Sequence, residues 1–196
     1  MPRSFRAELI GGCVHVASPL KADRGDIHGL LMMLLNLFRA YTPKTRALDN
    51  ATDILGVDSE PQPDACLFIE GGATHINDDG YLVGPPELAA EVASSSVSND
   101  LRDKKVDYES YGIAEYIVLI VQEERAVWFV RNPDQPKSSF LEKSIASDGI
   151  LRSIQFPGLW LDIAAIFRGD ARAMIDTLNA GLATPEHAAF VERIGK

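Results

Sequence analysis

Residues 91–116 read EVASSSVSNDLRDKKVDYESYGIAEY, and the order of their chemistry decides the fold. The run 88–93 is apolar enough for an interior strand, yet it carries one carboxylate, Glu91, whose charge is costly in a core without a cationic partner. Ser96, Ser98 and Asn99 then offer capping oxygens ahead of residues 100–111, which predict a helix with an acidic first turn and lysines after it. Asp100, Lys104 and Tyr108 recur every four residues and so share a helix face. Gly112 suits the position just past the last turn, and the continuous apolar run YIVLIV at 116–121 predicts a strand buried on both sides. Strand, helix and buried strand in that order predict a chain that combines α and β elements.

Working outward, Pro61 and Pro63 exclude helix, and residues 65–69 make a compact apolar strand with Asp64 at its mouth. The stretch 7–17 predicts a helix start or turn entering a strand, with an edge hairpin as the other option. Residues 23–41 predict a long helix, apolar nearly all round in the middle, and 45–55 an outer strand. Beyond the centre, 121–131 predicts a hairpin, 132–137 a turn, and 138–154 two short strands about Asp148 and Gly149. Helices are expected over 161–167 and 169–179, with a last one opened by Thr184 and Pro185.

The chain has 196 residues, 46% hydrophobic and 24% charged, which suits one folded domain with a real core. A formal net charge of −9 gives no general attraction to nucleic acid, so binding a polyanion needs a local basic group or a bound cation. Cys13 and Cys66 lie in no metal-binding or disulfide spacing and are expected to be small buried hydrophobes in a reducing cytoplasm. Residues 1–18 lack the apolar core of an export signal, and the most apolar run, 30–38, is far shorter than the roughly 20 residues a bilayer requires. No membrane association is expected.

Two acidic residues on successive strands, Asp64 and Glu91, make a site for a hard cation such as magnesium, which is content with one or two protein carboxylates and several waters. Lys104 is placed to offset charge on a phosphate or to position a nucleophile. The competing structural reading is that Asp64 caps a turn, Glu91 pairs with a lysine, and Asp100 and Lys104 form an exposed helical ion pair. Tyr108, Tyr116, Trp128 and Phe129 are expected in the core.

Pro63 and Asp64, then Pro86, Leu88, Glu91, Val92, Ser94, Ser96, Asp100, Lys104, Tyr108, Gly112, Glu115 and Tyr116, form a pattern that resembles the Uma2 family of restriction-endonuclease-like proteins. The opening Glu8, Leu9, Ile10 and Gly12 and the run PGLWLD at 157–162 are also similar, so the resemblance extends over residues 1–168. Residues 169–196 look like a helical extension packed on that unit. The resemblance implies the PD-(D/E)xK nuclease fold, an α/β (α+β) restriction-endonuclease-like architecture with a mixed central β-sheet flanked by helices, and a magnesium-dependent endonuclease, with manganese as a substitute and DNA as the expected substrate. Asp64 and Glu91 would hold the metal, and Asp64, Glu91, Lys104 and Glu8 would form the catalytic set. One departure stands out: the lysine slot two residues after Glu91 is Ala93, so Lys104 has to replace it from the following helix. His28, on the first long helix, is a further candidate for lining the site. Two other readings compete with the nuclease. One is a nuclease-fold binding protein without catalysis, and the other a homodimer or higher homo-oligomer assembled through Ala173, Met174, Leu178, Phe190 and Val191.

Overall fold

A computed structural model of the chain describes residues 7–16, 21–132, 135 and 138–196. Residues 1–6, 17 and 18 of the stretch considered for an export signal, the last residue of the element expected at 7–17, and part of the turn expected at 132–137 therefore lie outside the described residues.

The chain opens with a hairpin, β1 (Ala7–Ile10) and β2 (Cys13–Val16), turning on Gly11 and Gly12, whose positive φ angles L side chains rarely adopt. Glu8 is thus on a strand, and not at a helix start. Next come α1 (Ala22–Tyr41), β3 (Thr45–Asp49), β4 (Asp53–Ile54), β5 (Ala65–Ile69), β6 (His75–Ile76), β7 (Leu82–Val83) and β8 (Leu88–Ala93). The helical stretch after β8 divides into α2 (Val97–Leu101) and α3 (Asp103–Tyr111), and it leads to β9 (Glu115–Ile120). A single turn of 3-10 helix connects β9 to β10 (Arg125–Val130), followed by β11 (Leu141–Glu142), β12 (Ile150–Arg152), β13 (Trp160–Asp162), α4 (Ile163–Arg168), α5 (Ala171–Leu182) and α6 (Pro185–Ile194).

The main sheet has the order β11-β10-β9-β8-β5-β3, with β8 and β9 parallel and the other neighbours antiparallel. It is the mixed sheet expected from the sequence, and the parallel pair is the one joined through α2 and α3. A parallel connection needs a crossover, and those two helices supply it. The larger core lies between one face of the sheet and α1, where Leu31, Leu34, Leu35 and Phe38 meet Ala65, Leu67, Leu88, Ala90 and Val92. Successive residues of a strand face opposite ways, so Ala89 and Ala93 join a second core with Tyr108, Tyr116 and Phe129. Glu91 falls on that second face.

Several local expectations change. The predicted helix at 100–111 breaks at Arg102, whose backbone (φ −121°, ψ −76°) leaves the helical region. Ser96 stands at the cap position but makes no cap hydrogen bond; its hydroxyl donates to Asp100 Oδ2 at 2.5 Å instead. Gly112 closes α3 with φ 96°, in the left-handed conformation its place in the sequence suggested. Residues 160–162 are strand before α4 begins. Cys66 is buried as expected, and burial, with Asp53 nearby, pushes its thiol up to about 12, but Cys13 is exposed on the hairpin. Met174, Leu178 and Phe190 are buried in the main core of their own chain, so the face proposed for assembly is already occupied. Among the described residues no helix is long and apolar enough to cross a membrane.

Asp53 is fully buried, and neither of its carboxylate oxygens has a hydrogen-bond partner among the described residues. Burial pushes its carboxyl up to about 7 from 3.8. A raised carboxyl pKa contributes stability that is complete below the unfolded value and is lost as pH rises through the folded one. Asp53→Asn is therefore expected to stabilise the protein by about 1–3 kcal/mol at pH near 8, with the gain shrinking towards pH near 5. Thermal melts at the two pH values check this, and parallel pH profiles for the two proteins would contradict it.

Candidate active site

The register of β5 on β8 pairs Ala65 with Ala90, and continued by one residue it sets Asp64 across from Glu91. Opposite residues of an antiparallel pair project to the same face, so the strand mouths bring the two acids together. Both are almost dry, at 1% and 3% exposure.

Lys104 reaches this point from α3. Its ammonium donates to Glu91 Oε1 and to Glu8 Oε1, both at 2.8 Å, and it is itself 3% exposed. Ala93 leaves the usual lysine slot empty of charge, and Lys104 brings an ammonium to Glu91 from a different element. The Tyr108 hydroxyl, one helical turn further along, donates to the same Glu91 oxygen at 3.0 Å. Its ring meets Tyr116 edge-on at 4.9 Å, so packing fixes the hydroxyl's direction. Glu8 is held on β1 by a second bond, from the Gln62 backbone N–H at 2.6 Å.

Asp64 has a cation of its own, one that the sequence reading missed. Arg24 Nη2 lies 2.6 and 2.5 Å from the two Asp64 oxygens, and Arg24 Nε donates to the Val92 carbonyl at 2.6 Å. The Val92 N–H donates to Asp64 Oδ2 at 2.8 Å. His28 approaches the Asp64 backbone carbonyl at 2.8 Å through Nε2, which then carries the proton, and Asp49 Oδ1 at 3.3 Å. It therefore fixes the main chain at Asp64 and does not reach the carboxyl group. The signal for Arg24 was present but easily misread: a cation in the first turn of a helix opposes the helix dipole, which argues that it serves something outside the helix.

Asp100 completes the charge pattern. It is buried rather than exposed on a helix surface, and its charge acts on both Glu91 and Lys104. Burial raises the Asp100 carboxyl, with Lys104 and Ser96 opposing. Burial also pushes Glu91 well above the usual carboxylate range; Lys104 opposes that shift, while Asp64, Asp100 and Glu8 add to it. For Lys104 burial acts downwards, but Glu91, Glu8 and Asp100 outweigh it and hold the ammonium above its ordinary value. Among the described residues four carboxylates thus meet two cations, Arg24 and Lys104, and Lys104 serves both Glu91 and Glu8.

The donor set suits a hard divalent ion in its chemistry: carboxylate oxygens on neighbouring strands, in a region with negative charge to neutralise. Among the described residues no group of three or more His, Cys, Asp or Glu side chains is placed to form a closed metal cage. An ion that keeps most of its own water and takes one or two carboxylates fits this arrangement better than one that needs a full set of protein ligands.

The Uma2 family, described as "Putative restriction endonuclease", matches residues 1–164. The chain belongs to the Uma2 family. Among solved structures, this Uma2 chain is similar to a "putative nuclease belonging to DUF820" from Anabaena variabilis ATCC 29413, with a TM-score of 0.63 and 16% identity, covering 83% of this chain and 90% of that one. At that identity the likeness concerns the fold, which is that of the family expected from the sequence pattern. No curated protein matches the sequence. Within this Uma2 chain, Glu115 of the shared pattern has a structural explanation. It is fully buried and accepts from Trp128 Nε1 (2.7 Å), Ser153 Oγ (2.6 Å) and the N–H groups of Ile154 and Gln155 (3.3 and 3.2 Å), tying β9 to the chain beyond β12.

Proposed function

We propose that this protein is a magnesium-dependent endonuclease that hydrolyses phosphodiester bonds in DNA, with manganese as a substitute ion. The observation that carries this reading is the buried cluster in which Asp64 and Glu91, from adjacent strands, face each other with Asp100 and Glu8 close by. Asp64 and Glu91 would hold the ion, which when bound supplies a polarised water and charge stabilisation at the leaving oxygen. Lys104 keeps the Glu91 and Glu8 carboxylates in place and offers positive charge to a phosphate. Val92 N–H and Arg24 orient Asp64, and Tyr108 orients Glu91. The Arg24 and Glu8 side chains, 11% and 12% exposed, are the ones through which this cluster meets solvent. Glu8 also lines an open cleft of about 420 Å³ with Thr52, Gln62 and Tyr81.

The nuclease-like unit is read as residues 1–168, with 169–196 as a helical extension on it. Free Cys13 and Cys66 suit a reducing cytoplasm. A homo-oligomer would need a surface other than Met174, Leu178 and Phe190.

One observation favours a second reading, a nuclease-fold binding protein without catalysis. Arg24 and Lys104 already neutralise Asp64 and Glu91, as they would in a site that has become purely structural. Incubation of supercoiled plasmid with purified protein separates the two. Nicking in magnesium or manganese and none in chelator is expected, weakening as salt rises because the chain carries net charge −9. Equal residual cutting by wild type and Asp64→Asn across a magnesium titration would overturn the nuclease reading.

A further inference from the structure

Arg24 has features that a plain surface ion pair does not explain. It sits in the first turn of α1, where a positive charge is disfavoured by the helix dipole, and it spans from there to residues 64 and 92. A single nitrogen, Nη2, lies within hydrogen-bond distance of both Asp64 oxygens, so the guanidinium bridges the two oxygens of that carboxylate. Val92 fixes the group at both ends, its carbonyl accepting from Arg24 Nε and its N–H donating to Asp64. The remaining nitrogen, Nη1, is buried and has no hydrogen-bond partner among the described residues. A buried donor left unsatisfied costs about 1–3 kcal/mol, so this place satisfies the guanidinium only in part.

We propose that Arg24 is an exchangeable counter-ion: it occupies the Asp64 carboxylate in the metal-free protein and leaves it when a divalent cation binds there. The inference rests on the metal-dependent reading above. Charge decides the direction of exchange. A divalent ion brings two positive charges to the Asp64 oxygens, while Arg24 brings one, and the two compete for the same oxygens. Once released, Arg24 presents Nη1 and Nη2 together, the paired donors that match two oxygens of a phosphodiester. Arg24 therefore makes cation affinity lower than the carboxylates alone would give, and links cation loading to the appearance of an anion-binding group beside the site.

The test measures binding by the full chain, without substrate. Free manganese is followed by electron paramagnetic resonance as metal-free protein is titrated, for wild type, Arg24→Gln and each combined with Asp64→Asn, with melting curves to show that each is folded. Arg24→Gln is expected to tighten manganese binding by about tenfold or more, and Asp64→Asn to remove the site in both backgrounds. Binding in Arg24→Gln alone would support the exchange as well. Asp64-dependent binding that is unchanged or weaker in folded Arg24→Gln would overturn the exchange while leaving the metal reading standing. Failure of both proteins to bind would overturn both. A second measurement needs no variant: in wild type, the Arg24 Nε–H resonance should shift as magnesium saturates the site, because the guanidinium leaves its place between Asp64 and Val92. A resonance unmoved at saturation would overturn the exchange.

Discussion

Glu91→Gln protein is expected to lose metal-dependent cleavage by about 10²- to 10³-fold or more, the scale seen when a single preorganised charge-stabilising group is removed. The substitution keeps the shape of the side chain and one oxygen for Lys104 and Tyr108, whose bonds both go to Oε1. What it removes is the negative charge that an ion needs. Stability should respond differently from activity. Burial raises the Glu91 carboxyl well above the usual range, so its contribution to stability is complete below the ordinary carboxylate pKa of 4.5 and is lost as pH rises through the raised folded value. Melting curves of Glu91→Gln should therefore fall less steeply with rising pH than those of wild type. A variant that loses cleavage together with its fold at every pH would show that Glu91 acts through structure alone.

The second large effect concerns Lys104. Its ammonium is buried and bonds to both Glu8 and Glu91, so Lys104→Ala leaves two nearly dry carboxylates without their cation. Removing one partner of a buried charge pair costs about 3–5 kcal/mol, and that is the loss expected near neutral pH. The sign of the pH dependence follows from the carboxylates. With Lys104 gone, Glu91 loses the charge that opposes its raised pKa, and the variant should regain stability as pH falls and that carboxyl takes up a proton. Denaturant melts at pH about 8 and about 5 measure both halves of this expectation. A loss below about 1 kcal/mol at the higher pH, the range of exposed ion pairs, would contradict the placement of Lys104 inside the cluster.

The parts of this fold that could be read in the sequence are those where pattern and burial agree. The apolar runs of β5, β8 and β9 each carry an acid at one end or within, and such acids stand out because burial makes them expensive. The phase of the helix pointed Lys104 towards Glu91 even though the helix is broken at Arg102, where no Gly or Pro marks the break. Arg24 escaped because its one local signal, a cation in the first turn of a helix, is weak: its partners are 40 and 68 positions away, and a long side chain in an exposed-looking helix start resembles surface charge. Cys13 was misplaced for a related reason. Its strand belongs to a hairpin with exposed Val14 and Val16, so an alternating apolar pattern there does not signal a core. The C-terminal helices have an apolar face, and a pattern of that kind cannot say whether the partner is another copy or, as here, α1 and β13 of the same chain.

The most direct measurement is a crystal structure of the protein soaked in manganese, with the ion located by its anomalous signal. The predicted result is one peak within bonding distance of the Asp64 and Glu91 carboxyl groups, with Arg24 moved off Asp64 and Lys104 still on Glu8. Full manganese loading of the crystal with no peak between the two carboxyl groups, and with Arg24 still on Asp64, would contradict it.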